Sequence, residues 1–378
     1  MQHRLIPWLN GERQPEPWVV RGGLALLGGC GALLGSFQAL KAAGYAHGLL
    51  RAVSASCPVI SVGNLTVGGT GKTPMVMWLA QRCQASGARV AVVSRGYRQT
   101  SRAEVTVVAD WTGVHLAPPV AADEAVLIAR SVPGVAVVTG ANRPALIRHA
   151  VEVLRCDIIL MDDGFQRLDV QRDLNLVLLD ARHPFGNGRL LPGGILRERP
   201  AALQRCDAMI LTRADDPQAV QGACRLLTTL CPDKPVLTAI HKPTAWIPVH
   251  PPGAPLPLDG LSGAGFGFCG IAAPDRFRQT LARLPVRLVG WQAFADHHFF
   301  QEAELHQMVA RAQALGAGFL LCTEKDAVKW RAGPCPLPLL ALRVEMELTG
   351  HAGWLEQQIA RACATGLGRG QVVSAVRP

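Results

Sequence analysis

ISVGNLTVGGTGKTP, residues 60–74, places four glycines, a lysine and a threonine directly after a short β-branched run. A strand ending at Val62 and opening into Gly63, Gly68, Gly69 and Gly71 leaves successive backbone N–H groups bare, so they can surround a phosphate chain before the next helix begins. The stretch from Thr66 through Val67, Gly68, Gly69, Thr70, Gly71, Lys72 and Thr73 therefore reads as a phosphate-binding loop. Lys72 supplies a point charge to the β and γ phosphates, and the Thr73 hydroxyl is a ligand for Mg²⁺. The pattern is relaxed, because Thr66 stands where a glycine is usual. Nucleoside triphosphate binding is the firmest expectation.

Outward from the loop, PMVMWLAQRCQASG has apolar residues at Met75, Val76, Leu79 and Ala80 and stops at Gly87, the pattern of a helix. Apolar runs recur at 90–94, 135–140, 156–163, 174–181, 206–215 and 234–241, alternating with helical stretches such as 144–155. This predicts an α/β fold: a P-loop nucleotide-binding core on a mostly parallel sheet with helices on both faces. In such sheets the functional residues sit at the carboxyl ends of the strands. Residues 242–260 carry six prolines and read as a linker or edge ribbon. The expected division is an amino-terminal helical segment over 1–50, the kinase core over 51–241, the linker over 242–260, a smaller α/β domain over 261–345, and a helix with a glycine-rich tail over 346–378.

The chain has 378 residues, 49% of them hydrophobic, and eleven cysteines without a CxxC pair. These read as buried thiols, not as a disulfide frame or zinc site. The net charge is +10, and no Asp or Glu occurs from Pro17 to Ala103, while nine Lys and Arg residues accumulate there. Such a segment attracts anions, whether nucleic acid, anionic lipid or a phosphorylated substrate. With twenty aromatic residues and no basic–aromatic repeat, nucleic acid has only the charge behind it. Residues 22–40, GGLALLGGCGALLGSFQAL, are free of charge and flanked by Trp18, Arg21, Lys41 and Tyr45. Six glycines lower helix propensity, and basic residues flank both sides, so an interfacial or inserted membrane helix is expected before a complete span or a core helix. Glu12 and Glu16 ahead of it argue against a signal peptide.

Asp162 and Asp163 end the run CDIILMDD, where one carboxylate holds Mg²⁺ opposite Thr73. For loosening an acceptor hydroxyl the candidates are Asp123, Glu124, Asp180, Asp296 and His297, and a carboxylate–imidazole pair would suit. Arg143 sits where a strand hands over to a helix. Arg182, His183, Arg189, Arg197 and Arg199 fall in a long Gly/Pro/Arg loop suited to a substrate phosphate, and TRAD at 212–215 is a weak adenine candidate.

These pieces together resemble the tetraacyldisaccharide 4'-kinase family. The matching segments are SVGNLTVGGTGKTP, VVSRGY, DEAVLI, MDDGFQ, DARHPFGNGRLLPGGILRE, TRAD, CGIAAPDRF, ADHHFF and LCTEKDAVK, in family order from about 60 to 330. The resemblance implies transfer of the γ phosphate of ATP, with Mg²⁺, to the 4'-hydroxyl of an anionic acylated disaccharide 1-phosphate. It implies a two-domain kinase at the cytoplasmic face of the inner membrane, peripheral or monotopic, with no obligate protein partner. Lys72, Asp162 and Asp163 would serve the metal and transferring phosphate, and Asp123 would act as base with His297 as its partner. Arg95, Arg143, Arg182 and Arg189 would meet the substrate. Two departures stand out: Ala122 replaces the glycine of the family's usual GDE, and Arg167 replaces the histidine often found after DDGFQ. Outside this family, the rival expectations are a membrane-associated nucleotide hydrolase switch and a P-loop kinase for a soluble metabolite.

Overall fold

The computed structural model of the protein describes residues 18–330 and 335–374. Glu12 and Glu16 lie outside these residues, as do the side chains of Trp18 and Arg21. Helix α1 (Trp18–Ala46) is followed by β1 (Val59–Asn64), α2 (Lys72–Ala85), β2 (Val90–Ser94), β3 (Thr106–Asp110), β4 (Gly113–Val114) and α3 (Asp123–Ser131). Then come β5 (Ala136–Thr139), α4 (Arg143–Glu152), β6 (Ile158–Asp162), β7 (Leu174–Asp180), β8 (Ala208–Thr212), α5 (Pro217–Leu230) and the long β9 (Val236–His250). The remainder is β10 (Gly263–Cys269), α6 (Pro274–Leu281), β11 (Val286–Ala293), α7 (Glu302–Ala314), β12 (Phe319–Thr323), α8 (Glu324–Ala327), β13 (Leu339–Gly350) and α9 (Ala352–Ser374).

One sheet runs through the molecule in the order β11-β10-β12-β13-β9-β8-β7-β1-β6-β2-β5-β3-β4. β1 lies between β6 and β7, parallel to both, and all six of its residues are buried. That burial on both faces explains the β-branched Val59, Ile60 and Val62 that the sequence carries there.

Strand direction fixes where a ligand can bind. β9 starts parallel to β8, and β13 runs antiparallel to β9. β12, β10 and β11 are parallel to β13 and to one another. The strands of the smaller half therefore point back at the core, so the carboxyl ends of both halves face one cleft.

Of residues 242–260, expected as a linker or edge ribbon, 242–250 form the second part of strand β9, paired with β13. β8 pairs only as far as Thr238, and beyond it β9 pairs with β13, with a single antiparallel bridge from Trp246 to Leu256 on its other side. Pro243 and Pro248 are tolerated where the pairing with β13 shifts register, opposite Arg343/Val344 and Leu339/Leu340.

The tail differs from expectation. α9 continues through the glycine-rich stretch to Ser374 instead of ending before it. The reason is contact: a Cβ on Gly366 would meet the Asp157 carbonyl at 2.2 Å, so glycine lets α9 lie against the entry to β6.

Glycine has the same use in α1. Gly31 and Gly35 are buried where a Cβ would meet the Leu190 carbonyl at 3.0 Å and the Leu190 side chain at 2.4 Å. Leu33, Phe37 and Leu40, four and three residues apart, are 75%, 66% and 73% exposed. Among the described residues no helix is long and apolar enough to cross a membrane.

Candidate active site

The phosphate loop is held from both sides before any ligand arrives. Val67 N–H donates to the Ile195 carbonyl at 2.8 Å, and Arg197 N–H donates to the Leu65 carbonyl at 2.7 Å. Thr66 forms an isolated antiparallel bridge with Leu196. This extended pairing needs no glycine, which accounts for threonine at that position. On the other side Thr212 Oγ1 donates to the Thr70 carbonyl at 2.9 Å, and Arg213 bridges the Gly69 carbonyl and Asp180. Arg213 was accessible only as part of the weak TRAD pattern; it braces the loop.

Gly71 caps α2 with φ 87°, and a Cβ there would meet His241 Nε2 at 2.4 Å. The position admits only glycine, for conformation and for space. Burial, with Arg213 close by, pushes the His241 pKa down to about 4, so a neutral ring packs behind the loop.

Lys72 opens α2, and its Nζ lies 3.6 Å from Asp163 Oδ1. Arg197 Nη1 donates to both Asp163 oxygens at 2.8 Å. Burial favours the neutral acid at Asp163, but Lys72 and Arg197 outweigh it and hold the pKa below its ordinary value. Asp163 also has φ 53°, an unusual conformation outside glycine that turns its carboxylate toward these cations.

Asp162, its neighbour, behaves oppositely. Burial and then the nearby Glu124 push its pKa up to about 7, against the pull of Lys72. Its Oδ1 is buried without a hydrogen-bond partner. An orphaned carboxylate oxygen at the end of β6, with the Thr73 hydroxyl in the first turn of α2, fits a hard cation held partly by phosphate oxygens. Among the described residues no group of three or more His, Cys, Asp or Glu side chains could hold an ion by itself.

From across the cleft comes His297. Asp123, at the first position of α3, accepts from His297 Nδ1 at Oδ2 (3.0 Å) and from the Glu124 N–H at Oδ1 (3.0 Å). The two residues are 174 positions apart, and the facing sheet halves bring them together. Burial would raise the Asp123 pKa, but the His297 hydrogen bond and the charge of Lys325 prevail and keep it low. Ala122 has φ −65° and ψ 141°, ordinary extended backbone, so the absent glycine costs nothing.

Two other candidate bases are engaged elsewhere. Asp180 is bound by Arg213 and lies 3.4 Å from Arg276 Nη1, while the Asp296 carboxylate is 3.9 Å from Lys325. Lys325 itself, within the quoted TEKDAVK but given no role, contacts both Glu124 and His297 at 3.1 Å.

The arginines divide. Arg95, Arg182 and Arg189 are exposed, Arg182 with Nη2 3.2 Å from Asp215. Arg143, expected at the substrate, is instead 1% exposed and donates to the Gly140 carbonyl at 2.5 Å. Burial, with Arg167 nearby, lowers its pKa to about 10, which leaves a cation behind the acidic end of β6. Arg167, in place of a histidine, forms a two-point pair with Asp169.

A strand-to-helix phosphate loop, an acidic strand end beside it and a carboxylate–imidazole pair facing both define a P-loop phosphotransferase. The sequence pattern described as tetraacyldisaccharide-1-P 4'-kinase matches residues 24–364. The chain belongs to that family. Tetraacyldisaccharide 4'-kinase of Anaeromyxobacter sp. (strain Fw109-5) is 40% identical over 370 residues, covering 97% of each chain. The protein of that name from Geobacter metallireducens is 42% identical over 293 residues, covering 77% of this chain and 83% of its own. The crystal structure of "apo" form LpxK from Aquifex aeolicus in complex with ATP has a TM-score of 0.72 and 27% identity, covering 90% of this chain and 99% of the other.

Proposed function

We propose that this chain transfers the γ phosphate of ATP to the 4'-hydroxyl of tetraacyldisaccharide 1-phosphate, forming lipid IVA. The observation that carries the reading is the meeting of Asp123 and His297 opposite the phosphate loop, in a chain of this family. Lys72 and the loop N–H groups hold the triphosphate, whose charge takes Lys72 over from Asp163. Asp162 and Thr73 would hold Mg²⁺, which when bound neutralises charge on the β and γ oxygens. Asp123, ionised and aligned by His297, accepts the proton of the 4'-hydroxyl as its oxygen bonds to phosphorus and the bond to the ADP oxygen breaks.

The core and the smaller half act as two lobes joined by the β9–β13 ribbon. Arg95, Arg182 and Arg189 are exposed and suit the anionic headgroup. The exposed Leu33, Phe37 and Leu40 suit acyl chains at the cytoplasmic face of the inner membrane, where a peripheral or monotopic helix would lie in the interface. The experiment is transfer from γ-labelled ATP with Mg²⁺ and detergent-dispersed tetraacyldisaccharide 1-phosphate, for the intact protein and Lys72→Ala. Label in a bisphosphorylated lipid, lost in the variant, is the expected result. Acceptor-independent phosphate release without labelled lipid would replace this reading with a nucleotide hydrolase.

A further inference from the structure

Arg276 lies in the first turn of α6, in the smaller half. Its neighbour Phe277 is buried against Trp291, with ring centroids 5.9 Å apart, so the helix is firmly seated there. The Arg276 side chain instead crosses to the core, where Nη1 lies 3.4 Å from Asp180 Oδ2, and it stays 41% exposed. Among the described residues this is the guanidinium's one hydrogen bond.

Asp180 hardly needs it. The carboxylate is already bound by Arg213, which also holds the Gly69 carbonyl, and its Oδ1 accepts from the Arg182 N–H at 3.0 Å. The Arg182 guanidinium has its own acid in Asp215, 3.2 Å away. Three arginines thus stand against two aspartates, and Arg276 has the longest contact of the three. A cation held so lightly beside a phosphate loop is available to an anion.

Strand order says which part of the anion it meets. β1 lies between β6 and β7, and β8 follows β7. The transferring phosphate belongs on the β6 side, with Lys72, Asp162 and Asp163. The other end of the triphosphate therefore runs toward β7 and β8, where Asp180 ends one strand and Arg213 follows the other. We infer that Arg276 is a nucleotide-binding residue, which leaves Asp180 to grip the phosphates that ATP and ADP share at the nucleoside end of the chain. Arg213 keeps Asp180 neutralised when this happens, and the planar guanidinium can pair with two phosphate oxygens at once. The smaller half thereby gains a direct hold on the nucleotide.

This inference rests on the reading of the loop as a triphosphate site, and its test separates the two. Binding of Mg²⁺–ATP and Mg²⁺–ADP to the full chain is measured by titration calorimetry, for wild type and Arg276→Met. The variant should bind both nucleotides more weakly, each by roughly ten- to a hundredfold, the worth of a charge-assisted hydrogen bond. Its thermal melt without nucleotide should match wild type, because the pair it loses is exposed. Arg276→Gln carries the same expectation and decides if the Met variant does not fold. Unchanged affinity for both nucleotides, with or without a lower melt, would make Arg276 a mere strut between the halves and overturns the inference. A loss confined to ATP would place the residue at the γ phosphate and overturns it equally. A wild-type chain that binds neither nucleotide removes the triphosphate site itself, and this inference with it.

Discussion

Lys72 Nζ lies 3.6 Å from Asp163 Oδ1, so the cation of the phosphate loop is held by a carboxylate at the end of the adjacent parallel strand. The loop lysine is thereby aimed before a triphosphate binds. Lys72→Ala should lower phosphate transfer by about 10²–10³, the cost of removing one charge-stabilising donor. Label transfer under saturating ATP checks this.

Asp123→Asn keeps the shape of the first turn of α3 but removes the proton acceptor. Turnover should fall by ~10²–10⁴, with little change in KM for the lipid. His297→Ala, which removes only the partner, should cost less. Steady-state kinetics of both variants distinguish acceptor from aligner.

The Asp162 carboxyl ionises near 3.8 in the unfolded chain and near 7 in the fold. Its stabilising contribution is therefore complete below about pH 4 and is lost as pH rises to about 7. In chelator at pH 8, Asp162→Asn should melt higher than wild type, because a buried charge has been removed. The same variant should lose the stabilisation that Mg²⁺ and ATP give the wild type, which should itself grow between pH 6 and 8 as the carboxylate ionises. Thermal melts with and without Mg²⁺–ATP measure both.

Replacing Leu33, Phe37 and Leu40 together by serine should release the protein from vesicles of anionic phospholipid, since burying each side chain is worth up to about 1.5–3 kcal/mol. Affinity for ATP should stay unchanged. Vesicle flotation and nucleotide titration of the same preparation give the two readouts.

Gly366→Val should destabilise by about 1–3 kcal/mol, because the Asp157 carbonyl at 2.2 Å from the new Cβ belongs to backbone that cannot swing aside. Denaturant melts test this, and unchanged stability would show that α9 can lift away.

The phosphate loop, the strand runs and the acidic end of β6 were readable because each is local: glycine positions, β-branched runs and strand ends are neighbours in sequence. The roles of Arg213, Arg197 and Lys325 were not. Arg213 reaches Gly69 across 144 positions and Lys325 reaches Glu124 across 201, contacts that only strand order and direction create. Arg143 shows the converse error. Its place at a strand-to-helix junction is right, but sequence does not say whether a cation there faces the cleft or the interior. The tail misled because glycine lowers helix propensity, while Gly366 serves the packing of α9 against Asp157.

A Cβ at Gly71 would meet His241 of β9 and Met346 of β13, the two strands of the ribbon that carries the smaller half. Any side chain larger than hydrogen at Gly71 would press on both strands at once, so a single substitution in the phosphate loop would disturb the seat of the smaller half as well as its own turn.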